Sequence, residues 1–569
     1  KRTTALGEEN VRLEVKESWL GTAPNVYARG RLKMKQGMDG IQTHYFYEET
    51  DQYGALYKVT AETRIAGESV PGLSSRKVTY VSGQGNNMRY EQYARLADGA
   101  WSMTDASSYE YDVENRWVKR TRANGRVYER MMTCCGPLWE RDENGVTTSY
   151  SYNTARQLVE TIRSAVADGE TMITPETITS YTRDALGKIT SLRRDAGPMT
   201  TVESREYDLL GRLIRETDIL GRTTVRSYSG DGLVETVTTP AGATLITRKS
   251  PSGAVVRRYG TGQQDILYTV EATAEGIRTT EAVPGGEGGA PRVVTGSSTV
   301  NGFGDLVRIA AANTLNGENV RTLAYDDKGR LIREQLADMA PTLYAYDAFG
   351  NRTRAIVALE DEPTILNSRI TDYAYVAESR EDGIYRLVSI TSYTSSGTPV
   401  LQKRAALLSA LSSVLAGKTV MTDPRGHDTV EWTEYGGGSV RLQKKTVPGV
   451  GSVALTRVVD GFTTAVTGFD GATARRQRTY TETGITYADT DVRGNVFTAV
   501  CDIAGRIISG TDAAGNTTTY AYAQPFDLPT CVTNALGKTA CSVYDIRGRK
   551  EAEWGTAIQP AVYAYDAAG

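Results

Sequence analysis

An all-β fold built from repeated antiparallel hairpins is what this sequence predicts, and three observations carry the prediction. A Tyr-Asp-x-x-Gly-Arg phrase recurs along the chain, a shorter Asp-x-x-Gly signature recurs between its copies, and the composition supplies many turn formers and few disordered linkers. Of 569 residues, 57 are glycine and 17 are proline, a pairing that suits many tight turns. A single core rarely serves a chain this long, whereas repeats extend without one. The expected helix content is below about a tenth, against ~30–35% in ordinary globular proteins.

The phrase itself comes first. Tyr207-Asp208-Leu209-Leu210-Gly211-Arg212 returns as Tyr325-Asp326-Asp327-Lys328-Gly329-Arg330 and as Tyr544-Asp545-Ile546-Arg547-Gly548-Arg549. Tyr346-Asp347-Ala348-Phe349-Gly350-Asn351 and the terminal Tyr565-Asp566-Ala567-Ala568-Gly569 keep the Tyr-Asp, and Cys501-Asp502-Ile503-Ala504-Gly505-Arg506 has Cys in the tyrosine position. Tyr207 to Tyr228, Tyr325 to Tyr346, Cys501 to Tyr522 and Tyr544 to Tyr565 are each 21 residues, and Tyr522 to Tyr544 is 22. Between them lie tetrads without a preceding Tyr, at Asp142–Gly145, Asp184–Gly187, Asp218–Gly221, Asp491–Gly494, Asp512–Gly515 and Asn534–Gly537.

Each tetrad has the chemistry of a hairpin tip. The Asp carboxylate accepts from the backbone two residues on, the middle pair fits a type I turn, and Gly supplies the left-handed residue of the bulge. The residue after Gly then faces the Asp, so Asp208 should meet Arg212, and Asp326 should meet Arg330. Flanking runs such as Thr517–Tyr522 and Thr147–Tyr152 alternate small with large residues, as half-buried strands do. Each period is therefore strand, turn, strand, turn.

The phrase and its spacing resemble the YD-repeat, or Rhs-repeat, family: bacterial Rhs polymorphic toxins, the cocoon subunits of insecticidal toxin complexes, and the shells of teneurins. The resemblance implies a long strip of β-hairpins coiling into a hollow shell, non-catalytic, which in the toxin members encloses a C-terminal toxin polypeptide. It implies a secreted or bacterial cell-surface location. Clear units cover about 111–228, 325–350 and 491–569. The expected organisation is a degenerate β-repeat region over 1–110 and a YD/Rhs-repeat shell over 111–569, degenerate at 230–320 and 360–460. The chain stops within a repeat at Gly569 and lacks the closing segment and toxin domain of such toxins, so the expectation is a fragment, or a shell completed by another segment. A spiral of hairpins cut in this way should associate through its open edges. The alternative function is a surface adhesin or carbohydrate-binding wall protein, with exposed tyrosines stacking on sugars.

Composition narrows the partners further. With 65 Lys plus Arg against 68 Asp plus Glu, the formal charge is −3 and no basic block stands out, so nucleic acid and anionic membranes have no electrostatic support. No stretch reaches the ~20 apolar residues of a membrane span. There are 33 tyrosines against 7 phenylalanines, and their hydroxyls need partners when buried, which favours a thin sheet with two faces or a wet interior.

Chemistry is sparse. The two histidines, His44 and His427, cannot build a catalytic array or an imidazole zinc site, and no metalloprotease, nucleophile-elbow, phosphate-loop or dinucleotide signature occurs. Gly285-Gly286-Glu287-Gly288-Gly289 lacks the Lys-Ser/Thr of a phosphate cradle. No catalytic, cofactor-binding or metal-ligating residue is assigned, and no cofactor is expected. Cys134-Cys135-Gly136 reads as buried thiols in a turn. Asp423-Pro424-Arg425-Gly426 reads as a turn, with a weaker echo at Asp470-Gly471. Leu407, Leu408, Leu411, Val414 and Leu415 have helical spacing, and a short helix or an irregular strand both fit. The sequons at Asn351 and Asn516 follow turn glycines, a position that explains them without sugar.

One register can be counted. If Asn534-Ala535-Leu536-Gly537 is a tip with Asn534 facing Lys538, counting outward pairs Thr533 with Thr539, Val532 with Ala540 and Cys531 with Cys541. That last pair falls at a non-hydrogen-bonded site, where Cα atoms approach to ~4.5 Å and a disulfide can span them. The bridge is expected in an oxidising compartment, and free thiols otherwise.

Overall fold

The computed structural model describes residues 2–5, 11–37, 39–284, 293–313, 317–337, 339–360, 367–412, 414–436, 440–450, 453–523 and 525–565. The Gly285–Gly289 loop and the end of the last Tyr-Asp unit, 566–569, lie outside them.

Why the tetrads turn the chain is visible at Asp208. Its N–H donates to the Arg212 carbonyl at 2.9 Å, and Gly211 N–H donates back to the Asp208 carbonyl at 2.9 Å. One carboxylate oxygen accepts from the Leu210 and Arg212 amides at 3.0 and 2.9 Å, and the other accepts from Arg212 Nε at 2.7 Å. Gly211 sits at φ +75°, which a side chain rarely tolerates. The predicted Asp326–Arg330 pair repeats the geometry, with Nε to carboxylate at 2.7 Å. Asp423 and Asn534 head turns of the same kind, closed by His427 and Lys538. At the weaker echo the turn runs from Gly468 to Gly471, so Asp470 occupies its third position.

With turns at every tip, each strand pairs antiparallel with the next. Thr177–Arg183, Ile189–Ala196, Met199–Tyr207, Leu213–Thr217 and Thr223–Tyr228 form one such run. The ladder continues from Val11–Ser18 to Ala561–Val562 as one long, unclosed antiparallel sheet. Among the described residues there is no α-helix, and the regular non-strand element is the 3-10 turn Gln52–Gly54. One hairpin, Val166–Asp168 with Thr171–Thr174, leaves the ladder, because Leu158–Arg163 pairs directly with Thr177–Arg183.

The counted register holds. Cys531 pairs with Cys541, Val532 with Ala540 and Thr533 with Thr539, and the two cysteines form a disulfide with their Cα atoms 3.9 Å apart. The leucine-rich run is strand, not helix. Pro399–Ala410 and Leu415–Thr422 pair with their neighbours, and Leu408 is the extra residue of a bulge between Leu407 and Ser409. That bulge imitates helical spacing: Leu407 packs beside buried Tyr385, Ala405 and Val420, while Leu408 and Leu411 face outward.

The sheet is thin. Its accessible surface is 32046 Å², against about 20,000 Å² for a compact protein of 61.8 kDa. That excess is what a wall one sheet thick, wet on both faces, exposes.

Candidate functional site: the seam between coils

Strict antiparallel pairing sends successive turns to opposite edges of the strip. Counting along the ladder puts the tips after Tyr111, Tyr207, Tyr325, Tyr346, Cys501 and Tyr544 on one edge, here the Tyr edge. The tips at Asp142, Asp218, Asp423, Asp491, Asp512 and Asn534 fall on the other, the plain edge. Asp184 lacks a preceding Tyr but heads a tip on the Tyr edge.

On the Tyr edge the repeat residues act as a relay. Arg212 pairs with Asp208 and lies 4.4 Å over the Tyr228 ring, and the Tyr228 hydroxyl donates to the Leu213 carbonyl at 3.1 Å. Arg330 with Tyr346, Arg506 with Tyr522 and Arg549 with Tyr565 repeat the stacking at 5.1, 4.6 and 4.2 Å. Tyr346 and Tyr522 donate to the Leu331 and Ile507 carbonyls at 2.8 and 2.9 Å. The phenol thus caps the strand that begins after the Arg, which is how a half-buried hydroxyl is satisfied. Asn351 on this edge and Asn516 on the plain edge, the sequon residues, take the Arg role by donating to Asp347 and Asp512 at 2.9 Å.

The strip then coils onto itself. Among the described residues, hydrogen-bonded partners 280 to 305 apart in sequence meet with a plain edge of the first coil against a Tyr edge of the second. Arg222, in the Asp218 tip, donates to Asp527 at 2.8 Å. Arg547 donates to the Thr261 carbonyl at 2.9 Å. Ala97 N–H donates to the Ala377 carbonyl at 3.1 Å, beside a cluster of Leu96, Ala377 and Ile384.

The hairpin that leaves the ladder makes a further contact, with an apolar centre. Its Val166 and Ile173 join Val146 from the first coil and Val459 and Phe462 from the second in a buried cluster. Around this apolar centre Asp168 accepts from Arg457 Nε at 2.8 Å and Thr464 at 3.0 Å. Asp460 accepts from Arg163 at 2.6 Å and Thr174 at 2.5 Å, and Arg478 donates to the Ile173 carbonyl and Thr174. Burial opposes ionisation of Asp460, but Thr174 and Arg163 overcome it and hold the carboxyl below its ordinary value. At Asp168 burial is likewise outweighed, by Arg457 and Thr464. Charge-assisted hydrogen bonds in such half-buried positions are the stronger kind.

The residues examined for chemistry stand apart from this seam. His44 pairs across the ladder with Met34 and meets Gln42 Oε1 at 3.0 Å, its pKa lowered by burial and then by Arg64. His427 meets its own turn Asp423 at 3.3 Å. Cys134 and Cys135 lie in a turn, as expected, but Cys134 is exposed and Cys135 half-buried. The tip reaches past the sheet, so no second layer covers it. Tyr80 is pushed up to about 12 by burial and by the Glu91 carboxylate it donates to, which keeps the phenol protonated. A groove of about 570 Å³ includes Asp382, Lys418, Trp432 and Glu434, and its charges are paired: Lys418 with Asp382 at 2.6 Å, Lys444 with Glu434 at 2.8 Å. Among the described residues no three His, Cys, Asp or Glu side chains converge as a metal site, and no helix is long and apolar enough to cross a membrane.

Sequence reasoning found the tips and missed the seam. Its partners are hundreds of residues apart, and no short-range pattern marks them; the signal that could have found the edges is the alternation of tetrads with and without Tyr.

No curated protein matches the chain in sequence. Among solved structures, the crystal structure of TcdB2-TccC3 is 11% identical, covering 87% of this chain and 30% of that one, with a TM-score of 0.31. The Photorhabdus luminescens Tc holotoxin pore with a TccC3 variant is 12% identical over 92% of this chain and 30% of that one, at a TM-score of 0.32. The chain thus spans about 30% of the length of these neighbours. Scores of this size do not establish a shared overall shape, and the fold rests on its own strand register. The family RHS Repeat matches residues 207–244, which open with the Tyr207 phrase. The match identifies residues 207–244 as an RHS repeat, and the same phrase returns at Tyr325 and Tyr544.

Proposed function

We propose that the chain is a non-catalytic wall segment of an Rhs shell that encloses, and helps deliver, a C-terminal toxin polypeptide of the same protein. The observation that carries this reading is the wall itself: a single sheet exposing 32046 Å², closed edge to edge by a side-chain seam. A binding or catalytic domain concentrates its residues in one pocket; here the ordered chemistry is spent on joining edges. The stretches 1–110 and 111–569 belong to one wall in this proposal, and the protein acts outside the producing cell or at the bacterial surface. Carbohydrate binding through the repeat tyrosines is the weaker reading, because Tyr228, Tyr346 and Tyr522 are each stacked by Arg and hydrogen-bonded.

The test uses the full-length polypeptide that contains this chain. Its C-terminal part should resist added protease while the wall is intact and become cleavable when the seam is opened by Asp460→Ala with Arg163→Ala. Equal digestion in both would sink the enclosure reading. Solution scattering of the isolated chain should also give a radius of gyration clearly above the ~25 Å of a compact protein of this length.

A further inference from the structure

One unit on the Tyr edge departs from the phrase. Tyr111 to Met132 is 21 residues and Met132 to Tyr152 is 20, so Met132 stands in the tyrosine position and Thr133-Cys134-Cys135-Gly136 in that of the tetrad. The turn is tighter than its neighbours. Thr133 N–H donates to the Gly136 carbonyl at 2.7 Å, and Gly136 adopts φ +152°, where an added Cβ would strike the Tyr152 hydroxyl. The Thr133 hydroxyl donates to the Gly136 carbonyl at 2.9 Å and accepts from the Cys135 amide at 3.2 Å. The units on either side brace it: Arg116 donates to the Thr133 carbonyl at 2.7 Å, and Tyr152 to the Pro137 carbonyl at 3.0 Å.

Two cysteines thus fill the central positions of a braced turn, and their sulfurs lie 3.0 Å apart. A disulfide bond is ~2.05 Å long, so closing one here asks for a shift of about 1 Å. Neighbouring side chains on an extended strand point to opposite faces; the turn is what brings these two together. The hydrogen bond to Cys134 pushes the Cys135 thiol above its ordinary value, so Cys135 holds its proton at neutral pH.

We infer that Cys134 and Cys135 form a two-electron redox site, closing into a vicinal disulfide by exchange with a low-molecular-weight disulfide such as oxidised glutathione. The Cys134 thiolate attacks one sulfur of the oxidant and expels a glutathione thiolate. Cys135 then attacks the Cys134 sulfur of the mixed disulfide and expels the second. The two thiol protons pass to the departing thiolates and two electrons to the oxidant, so one oxidised glutathione yields two reduced ones. The bridge closes a loop of two residues and adds little to global stability, whereas Cys531–Cys541 ties two strands. All the protein groups involved belong to one turn and its braces, so the assignment holds whatever lies against this edge, and it stands apart from the wall reading.

Peptide mapping tests it on the full-length polypeptide that contains this chain. The folded protein is reduced, equilibrated in glutathione buffers of graded potential, quenched in acid, denatured and alkylated. The peptide carrying Cys134 and Cys135 should become unalkylated and two hydrogens lighter. Its ratio of bridged to doubly glutathionylated forms should exceed that of the same protein equilibrated in urea by at least about tenfold, because the folded turn holds the sulfurs together. Cys135→Ser, with an unchanged melting curve, should instead keep Cys134 as a stable mixed disulfide with glutathione. Two alkylated thiols at every potential, a glutathione on each cysteine, or an equal ratio in urea would each overturn the inference.

Discussion

Two adjacent tips, Asp208-Leu209-Leu210-Gly211 and Asp218-Ile219-Leu220-Gly221, share nearly the same sequence and the same hydrogen bonds. In both, Gly adopts a positive φ, 75° and 76°, and the following Arg Nε reaches the Asp at 2.7 Å. Their surroundings differ completely. Leu209 is fully exposed, whereas Ile219 and Leu220 are half-buried and Arg222 extends to Asp527 of the next coil. The tetrad therefore sets local geometry, and the edge on which it falls sets what the tip touches.

The largest effect should come from the apolar centre of the seam. Ile173→Ala removes a side chain only 1% exposed and should cost about 2–5 kcal/mol, read as a lower urea midpoint and faster proteolytic nicking at Gly169-Glu170. Leu209→Ala on the open tip should stay within about 0.5 kcal/mol. Equal losses would erase the distinction between the edges.

Next in size is the carboxylate pair. Asp168 and Asp460 have folded pKa values below their ordinary value, and an unfolded Asp titrates near 3.9. A depressed folded pKa contributes stability that is complete above the unfolded value and is lost as pH falls through the folded one. The seam should therefore hold at neutral pH and loosen below about pH 4. Asp460→Asn should remove part of this acid sensitivity and cost about 1–3 kcal/mol at pH 7, measured by melting temperature against pH. An unchanged acid profile would show that the seam draws nothing from these charges.

Gly211→Ala and Gly221→Ala should each cost about 1–2 kcal/mol, because both impose the same left-handed strain. Here the edges should agree, and a large disparity in melting temperature would mean that the seam, not the turn, holds the glycine conformation. The smallest contrast is between the arginines. Arg212→Lys keeps a charge near Asp208 and should cost ~0.2–1 kcal/mol, while Arg222→Lys, which also forfeits the reach to Asp527, should cost more; a double-mutant cycle with Asp527→Ala isolates the difference.

The tips were legible because their determinants lie within six residues, as at Asp208 to Arg212, and the Cys531–Cys541 register followed by counting from one of them. The Arg212–Tyr228–Leu213 relay spans one strand pair and was missed, although the constant Tyr spacing reflects it. The hairpin Val166–Thr174 was missed for a different reason. Its apolar residues are few and its partners, Val459 and Phe462, lie at the end of the degenerate stretch 360–460 and just beyond it. Leu408 shows a local pattern misleading on its own terms, since one bulge residue shifts strand periodicity into helical spacing.

The hairpin outside the ladder has a consequence for how such a chain can change length. It lies between Leu158–Arg163 and Thr177–Arg183, which still pair directly with each other, so every later tip stays on the side it would have had without it. Whole repeats, which add two strands to the ladder, can be gained or lost without changing the side of any later tip. A single added strand would invert the polarity of everything downstream, presenting Tyr edges where plain ones must meet them. Insertions in this architecture are thus constrained by evenness more than by size, and the seam is the feature that enforces the count.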